Sequence, residues 1–121
     1  IENVRIAGNA HPGSLTGEDL GLIGEAKSIY KDRIKIPCTE CNYCAPCPNS
    51  VAIPDVFSVY NDFFAYGAED SSRDNYAYLK KVNADPAACT ECKKCEDLCP
   101  QHLPITHHLK EAKALFEGTG K

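Results

Sequence analysis

Ile36-Pro37-Cys38-Thr39-Glu40-Cys41-Asn42-Tyr43-Cys44-Ala45-Pro46-Cys47-Pro48 and Cys89-Thr90-Glu91-Cys92-Lys93-Lys94-Cys95-Glu96-Asp97-Leu98-Cys99-Pro100 hold all eight cysteines of this 121-residue chain. The second stretch reads C-x-x-C-x-x-C-x-x-x-C-P, a spacing that ligates iron–sulfur clusters. The first has the same pattern with one residue fewer before its last cysteine. Two such runs imply two cubane [4Fe–4S] clusters, and hence an electron carrier.

A cubane presents four iron corners, and each needs one thiolate. Three cysteines spaced three apart wrap one loop around three corners, so the fourth ligand must come from elsewhere. In two-cluster ferredoxins the fourth cysteine of each run serves the other cluster. The same crossing here gives Cys38, Cys41, Cys44 and Cys99 for one cluster, and Cys89, Cys92, Cys95 and Cys47 for the other. The proline after each fourth cysteine fixes φ and turns the chain away. Two four-thiolate zinc sites satisfy the same cysteine count. Zinc sites, however, usually draw paired cysteines from two knuckles rather than a triplet plus a distant Cys-Pro. Disulfides are the remaining alternative. The absence of C-x-x-C-H excludes a c-type haem, and a thioredoxin-like site lacks its βαβ context.

Outside the cysteine runs the periodicity is helical, and no period-two strand is convincing. Residues 4–13 show little pattern and end in His11-Pro12-Gly13, a turn signal. A first helix is expected from near Thr16, with Asp19 three residues on completing a near capping box. Leu22, Ala26, Ile29 and Tyr30 follow at helical spacing. Gly21 and Gly24 inside it each cost about 1 kcal/mol against Ala, which suggests close packing or a weak first turn. Ile53-Pro54-Asp55 opens a second helix, with Val56, Val59, Tyr60, Phe63 and Phe64 as its apolar stripe and Gly67 as its stop. A third is expected over 72–82, burying Tyr76 and Leu79, before a turn at Asp85-Pro86. A fourth is expected over 105–116, with Ile105, Leu109, Ala112 and Phe116 facing inward and Gly118 as its stop. The fold class is therefore all-α, with two cysteine-rich cluster-binding loops. The runs form an internal pseudo-repeat, since each leads through Ile53-Pro54 or Leu103-Pro104-Ile105 into a helix.

The net charge of −4 argues against a nucleic-acid binder, which wants a basic face. It suits a carrier that docks on a basic surface, although mild acidity also serves plain solubility. No run of about 18 apolar residues could span a membrane, and no signal peptide is visible. The expected compartment is the cytoplasm. The chain starts at Ile1 and has no Met, so a processed product or a piece of a longer protein is expected.

Other residues carry less. Tyr43, between two cysteines, either shields a cluster from water or packs in the core. His102, His107 and His108 read as surface or helix-start residues, because no cysteine ligand is missing. Gly118-Thr119-Gly120-Lys121 only faintly resembles a phosphate loop, lacking the first glycine and the following Ser/Thr. No Ser–His–Asp, paired-carboxylate or dinucleotide glycine constellation is present, so no catalytic residue is assigned.

The first cysteine run, Val51-Ala52-Ile53-Pro54 with Phe57 and Tyr60-Asn61, and the second run through Gln101 together resemble a known family. It is the C-terminal ferredoxin-type domain of the aldo/keto reductase-like oxidoreductases of anaerobic bacteria and archaea. Residues 2–16 are similar to the stretch joining the barrel to that domain. The resemblance implies a helical ferredoxin-like domain over 36–118, preceded by a linker segment and N-terminal helix over 1–35. It also implies an upstream nicotinamide-binding barrel as partner, with electron donor and acceptor unknown and no nucleic acid or membrane involved. Asn49-Ser50 and Ala45 depart from the family's usual Gly and Met, and neither touches an expected ligand. On this reading the chain is not an enzyme by itself. A free-standing ferredoxin-like carrier, a ferredoxin subunit of a redox complex and a zinc-stabilised interaction module stay open beside it.

Overall fold

The computed structural model describes residues 1–118, and these form helices joined by turns with no strand among them. The elements are α1 (Glu2–Asn9), α2 (Gly17–Arg33), α3 (Ile53–Ala65), α4 (Glu69–Lys81), a 3-10 turn (Pro86–Ala88), α5 (Lys94–Asp97) and α6 (Ile105–Glu117). The expected all-α class is observed. Two elements escaped the pattern reading: α1, whose residues lack a clear stripe, and the single turn α5 inside the second cysteine run. Thr119 to Lys121, the tail of the phosphate-loop-like stretch, lies outside the described residues.

The chain divides into two compact units. One is Ile1–Asp32, and the other begins at Arg33 and contains both cysteine runs. In the first unit the capping signal is real. Asp19 Oδ2 accepts from the Thr16 backbone N–H at 2.8 Å and from its hydroxyl at 2.7 Å, while Thr16 Oγ1 accepts from the Asp19 N–H at 3.2 Å. These bonds hold the Asp19 carboxyl below its ordinary range. Neither α1 nor α2 buries a residue, however, and Leu20, Leu22, Ile23, Ile29 and Tyr30 are all exposed. The expectation drawn from Gly21 and Gly24 is corrected as to packing, since a Cβ at either meets nothing within 4 Å.

The second unit is built around α3. Pro54 in its first turn lacks an N–H that would have no helical partner, so the start tolerates it. α3 packs against both α4 and α6. It therefore buries a wider arc than one stripe: Ile53, Val56, Phe57 and Val59 all turn inward. Phe57, outside the expected stripe, is fully buried. Phe64, inside it, is exposed, with the Lys35 ammonium 5.6 Å from its ring centre. From α6, Ile105, Leu109 and Ala112 complete the core, and α4 adds Tyr76 and Leu79.

Two polar devices lock this core. Phe116 stacks on Tyr76 at 4.6 Å and meets Phe63 edge-on at 5.9 Å. The Tyr76 hydroxyl donates to Glu117 at 3.1 Å, and Lys80 pairs with the same carboxylate at 3.0 Å. Burial raises the Tyr76 phenol far above its ordinary range. For Glu117, burial pushes the carboxyl up, but the bonds from Lys80 and Tyr76 outweigh it and hold it low.

The other device is Asn61 on α3. Its Oδ1 accepts from the Lys35 N–H at 3.1 Å and the Ile36 N–H at 2.9 Å, and its Nδ2 donates to the Ile36 carbonyl at 2.8 Å. Ile36, fully buried, leads directly into Cys38. Asn61 thus fixes where the first cysteine run begins. Asn61→Ala leaves the Ile36 N–H without its acceptor, and we expect it to cost about 1–3 kcal/mol in chemical denaturation of the loaded chain. An unchanged denaturation midpoint would show that the clamp contributes nothing.

Candidate iron–sulfur centre

Each cysteine run is bent by residues in the left-handed region. Glu40 and Asn42 have φ of 53° and 64°, and Glu91 and Lys93 match them at 56° and 61°. Three residues past each fourth cysteine, Ser50 and His102 repeat the device at 61° and 52°. The curled backbone turns N–H groups toward sulfur. Glu40 N–H donates to Cys38 Sγ at 3.5 Å, and Glu91 N–H donates to Cys89 Sγ at 3.4 Å. Such concave N–H groups suit anionic occupants. The pseudo-repeat read from the sequence is thus also a repeat of backbone conformation.

A small, partly open cavity lies at the first run. Cys38, Cys41, Cys44 and Cys99 line it, backed by Ile53, Phe57 and Ile105 from the helix starts. Cys99, buried at 9 % exposure, has therefore left its own triplet for the other run's cavity. Burial raises the Cys38 and Cys44 thiols above their ordinary range, and the neighbouring Cys41 and Cys99 add to it. On the second run, burial is also the main cause that raises Cys95, to about 11, with Glu96 and Cys47 contributing through their charge. Asn49, two residues past Cys47, donates to Thr90 Oγ1 at 2.8 Å, tying the end of the first run to the second triplet. Cys41 and Cys92, the middle members, are the exposed cysteines of the two runs.

The donor chemistry fits a cubane. Four soft thiolates around one apolar-backed cavity suit a cluster that offers a corner to each sulfur. A zinc ion instead needs its sulfurs about 2.3 Å from one point. Among the described residues no three His, Cys, Asp or Glu side chains converge that tightly, and the sulfurs border a cavity instead. A family model described as a 4Fe-4S dicluster domain matches residues 37–103.

The chain belongs to the 4Fe-4S dicluster domain family.

No curated protein and no solved structure gives a significant match. The dicluster assignment spans both runs and carries two [4Fe–4S] clusters, as the cysteine spacing implied. Among the described residues no helix is long and apolar enough to cross a membrane.

Of the lesser candidates, Tyr43 is 65 % exposed and stands outside the cavity lining, which corrects the core-packing expectation. His102 and His107 are exposed, as surface residues should be. His108 is half-buried, bonded through Nδ1 to Glu111 at 2.8 Å and set edge-on to Phe57 at 5.9 Å. Two residues carry hydrogen bonds that motif reading did not assign, Glu96 on the second run and Asn61 on α3. Glu96 Oε1 accepts from the Thr106 N–H at 2.8 Å and from its hydroxyl at 2.7 Å. These bonds hold the Glu96 carboxyl low. Asn61 entered the sequence reading only within the family resemblance, and its place beside Asp62 in α3 gave no sign of its contacts.

Proposed function

We propose that this dicluster domain passes single electrons for an aldo/keto reductase-like oxidoreductase, whose barrel is a separate part of the machinery. Iron–sulfur electron transfer follows from the family. The parent enzyme is the finer reading, and the support for it is the resemblance of both cysteine runs, Val51-Ala52-Ile53-Pro54 and the residues before them. In this reading Cys38, Cys41, Cys44 and Cys99 hold the first centre, and Cys89, Cys92, Cys95 and Cys47 hold the second. The lining of the first cavity by Cys99 is the observation that carries the crossed arrangement. Each bound cluster supplies one-electron storage at low potential. The protein's own residues set where that electron can enter. The exposed Cys41 and Cys92 mark the thinnest cover over each centre. The compartment consistent with this role is the cytoplasm, and basic faces on donor and acceptor would complement the acidic chain.

No dinucleotide glycine fingerprint appears in the sequence, and a barrel of about 250 residues does not fit in its length. Anaerobic purification should give about eight iron and eight sulfide per chain, and dithionite should produce a paramagnetic reduced form. The isolated chain should reduce no carbonyl compound with a nicotinamide cofactor. Stoichiometric zinc without visible absorbance would overturn the cluster reading. Enzyme-rate carbonyl reduction by the chain alone would overturn its role as the electron-transfer part. A free-standing carrier fits the same family, and failure to exchange electrons with any barrel of the aldo/keto reductase type would favour it.

A further inference from the structure

The two halves of the dicluster domain are near copies, so the places where they differ carry information. Cys38, Cys41 and Cys44 correspond to Cys89, Cys92 and Cys95, with matching positive φ at the residues between them. Ser50 N–H bonds the Cys47 carbonyl at 3.0 Å, as His102 N–H bonds that of Cys99 at 3.0 Å. The halves differ at several positions, and two of these differences are joined by hydrogen bonds. Glu96 follows Cys95 where Ala45 follows Cys44, and Thr106 is the second residue of α6 where Pro54 is the second of α3.

The covariation has a plain chemical reason. Pro54 has no N–H, so the start of α3 needs no acceptor there. Thr106 has an N–H and a hydroxyl, and Pro104 before α6 offers no side-chain cap. Glu96 supplies the missing acceptor from the cysteine loop, taking both Thr106 donors on one carboxylate oxygen. A carboxylate at a helix N-terminus is also favoured by the helix dipole. Were capping the only need, a neutral oxygen would serve as well.

The charge has a second consequence. Glu96 is half-buried and adjoins Cys95, and the Thr106 that it bonds borders the same pocket as Cys89. After the corresponding Cys44 stands the uncharged Ala45, and the carboxylate of the first run is Glu40, the counterpart of Glu91. Of the other charges in the second run, Glu91 pairs with Lys110 at 2.7 Å, and Lys93, Lys94 and Asp97 are exposed to solvent. Reduction adds negative charge to a centre, and a fixed anion beside one of its thiolates opposes that addition.

We propose that Glu96 is a positioning residue of the second centre: it caps α6 from the cysteine loop and holds a fixed negative charge that lowers this centre's reduction potential, leaving the first centre untouched. The inference rests on the two-centre reading above and makes the centres electrically inequivalent.

The test is an anaerobic redox titration of the full loaded chain followed by electron paramagnetic resonance, with iron content measured in parallel. Glu96→Gln keeps an acceptor for Thr106 and removes the charge. It should retain full iron and shift one midpoint upward while the other stays. The shifted centre should be the one whose spectrum Cys92→Ser alters. Glu96→Ala should give an upward shift of the same centre and also faster amide exchange at Thr106. The proposal is overturned if Glu96→Gln moves neither midpoint, moves both equally, moves the centre altered by Cys41→Ser, or loses iron like a purely structural variant. A wild-type chain without two four-iron centres overturns the two-centre reading, and this inference with it.

Discussion

Cys99→Ala should abolish the cluster of the other run and spare the cluster of its own. In the loaded chain the expected outcome is a fall from about eight iron to about four. The centre that remains should be the one held by Cys89, Cys92, Cys95 and Cys47. The reason is spatial. Cys99 is buried and lines the cavity of Cys38, Cys41 and Cys44, and its charge acts on two of those three sulfurs. Removing one thiolate leaves a corner of that centre without its ligand, in a pocket backed by Ile53, Phe57 and Ile105 whose lining holds no further cysteine beyond Cys38, Cys41 and Cys44. Double variants make the assignment sharp, because groups acting as one unit are not additive while independent ones are. Cys99→Ala with Cys41→Ala should lose no more iron than Cys99→Ala alone. Cys99→Ala with Cys92→Ala should lose both clusters. The reverse pattern, with Cys99 additive to Cys41 and redundant with Cys92, would mean that each run keeps its own fourth cysteine.

What could be read in the chain without its structure follows from how each feature is encoded. The cysteine spacing is local, so the dicluster class was legible at once. The helix starts at Thr16 and Ile53 were legible too, because capping and Pro at the first turn are short-range rules. Which face a helix buries is set by its neighbours. The stripe on α3 was therefore read one residue away from Phe57, since packing against two helices widens the buried arc. In α2 the helix signal was sound, but its apolar residues stay exposed. The long-range polar contacts were not legible. Asn61 with Ile36 and Glu96 with Thr106 join segments that only the fold brings together. The Ala45/Glu96 and Pro54/Thr106 pairs were visible as letters, but their joint meaning requires the hydrogen bonds.

Removing the clusters should unfold the second unit rather than merely bleach it. Six non-glycine residues in or just after the cysteine runs sit at positive φ: Glu40, Asn42, Ser50, Glu91, Lys93 and His102. Such a conformation costs roughly 1–2 kcal/mol per residue, with less for Asn. Together they set about 6–10 kcal/mol against a net stability that for single domains is only about 5–15 kcal/mol. In the proposed crossed arrangement, cluster ligation makes this backbone the favoured one and joins the first cysteine run to the second. The core alone is modest, resting on Phe57, Ile36, Ile53, Ile105 and Leu109 as its largest fully enclosed side chains. Binding that requires the fold contributes its free energy to the fold. Oxidation followed by chelation should therefore abolish the cooperative thermal transition and the slow amide exchange of Val56 on α3 and Leu109 on α6. Far-ultraviolet helicity is a poorer readout, because α1 and α2 bury nothing and add signal unconnected with the clusters. Reloading with iron and sulfide under thiol should restore both properties. A cluster-free chain that melts cooperatively at the loaded chain's temperature would show that the helices hold the strained loops unaided.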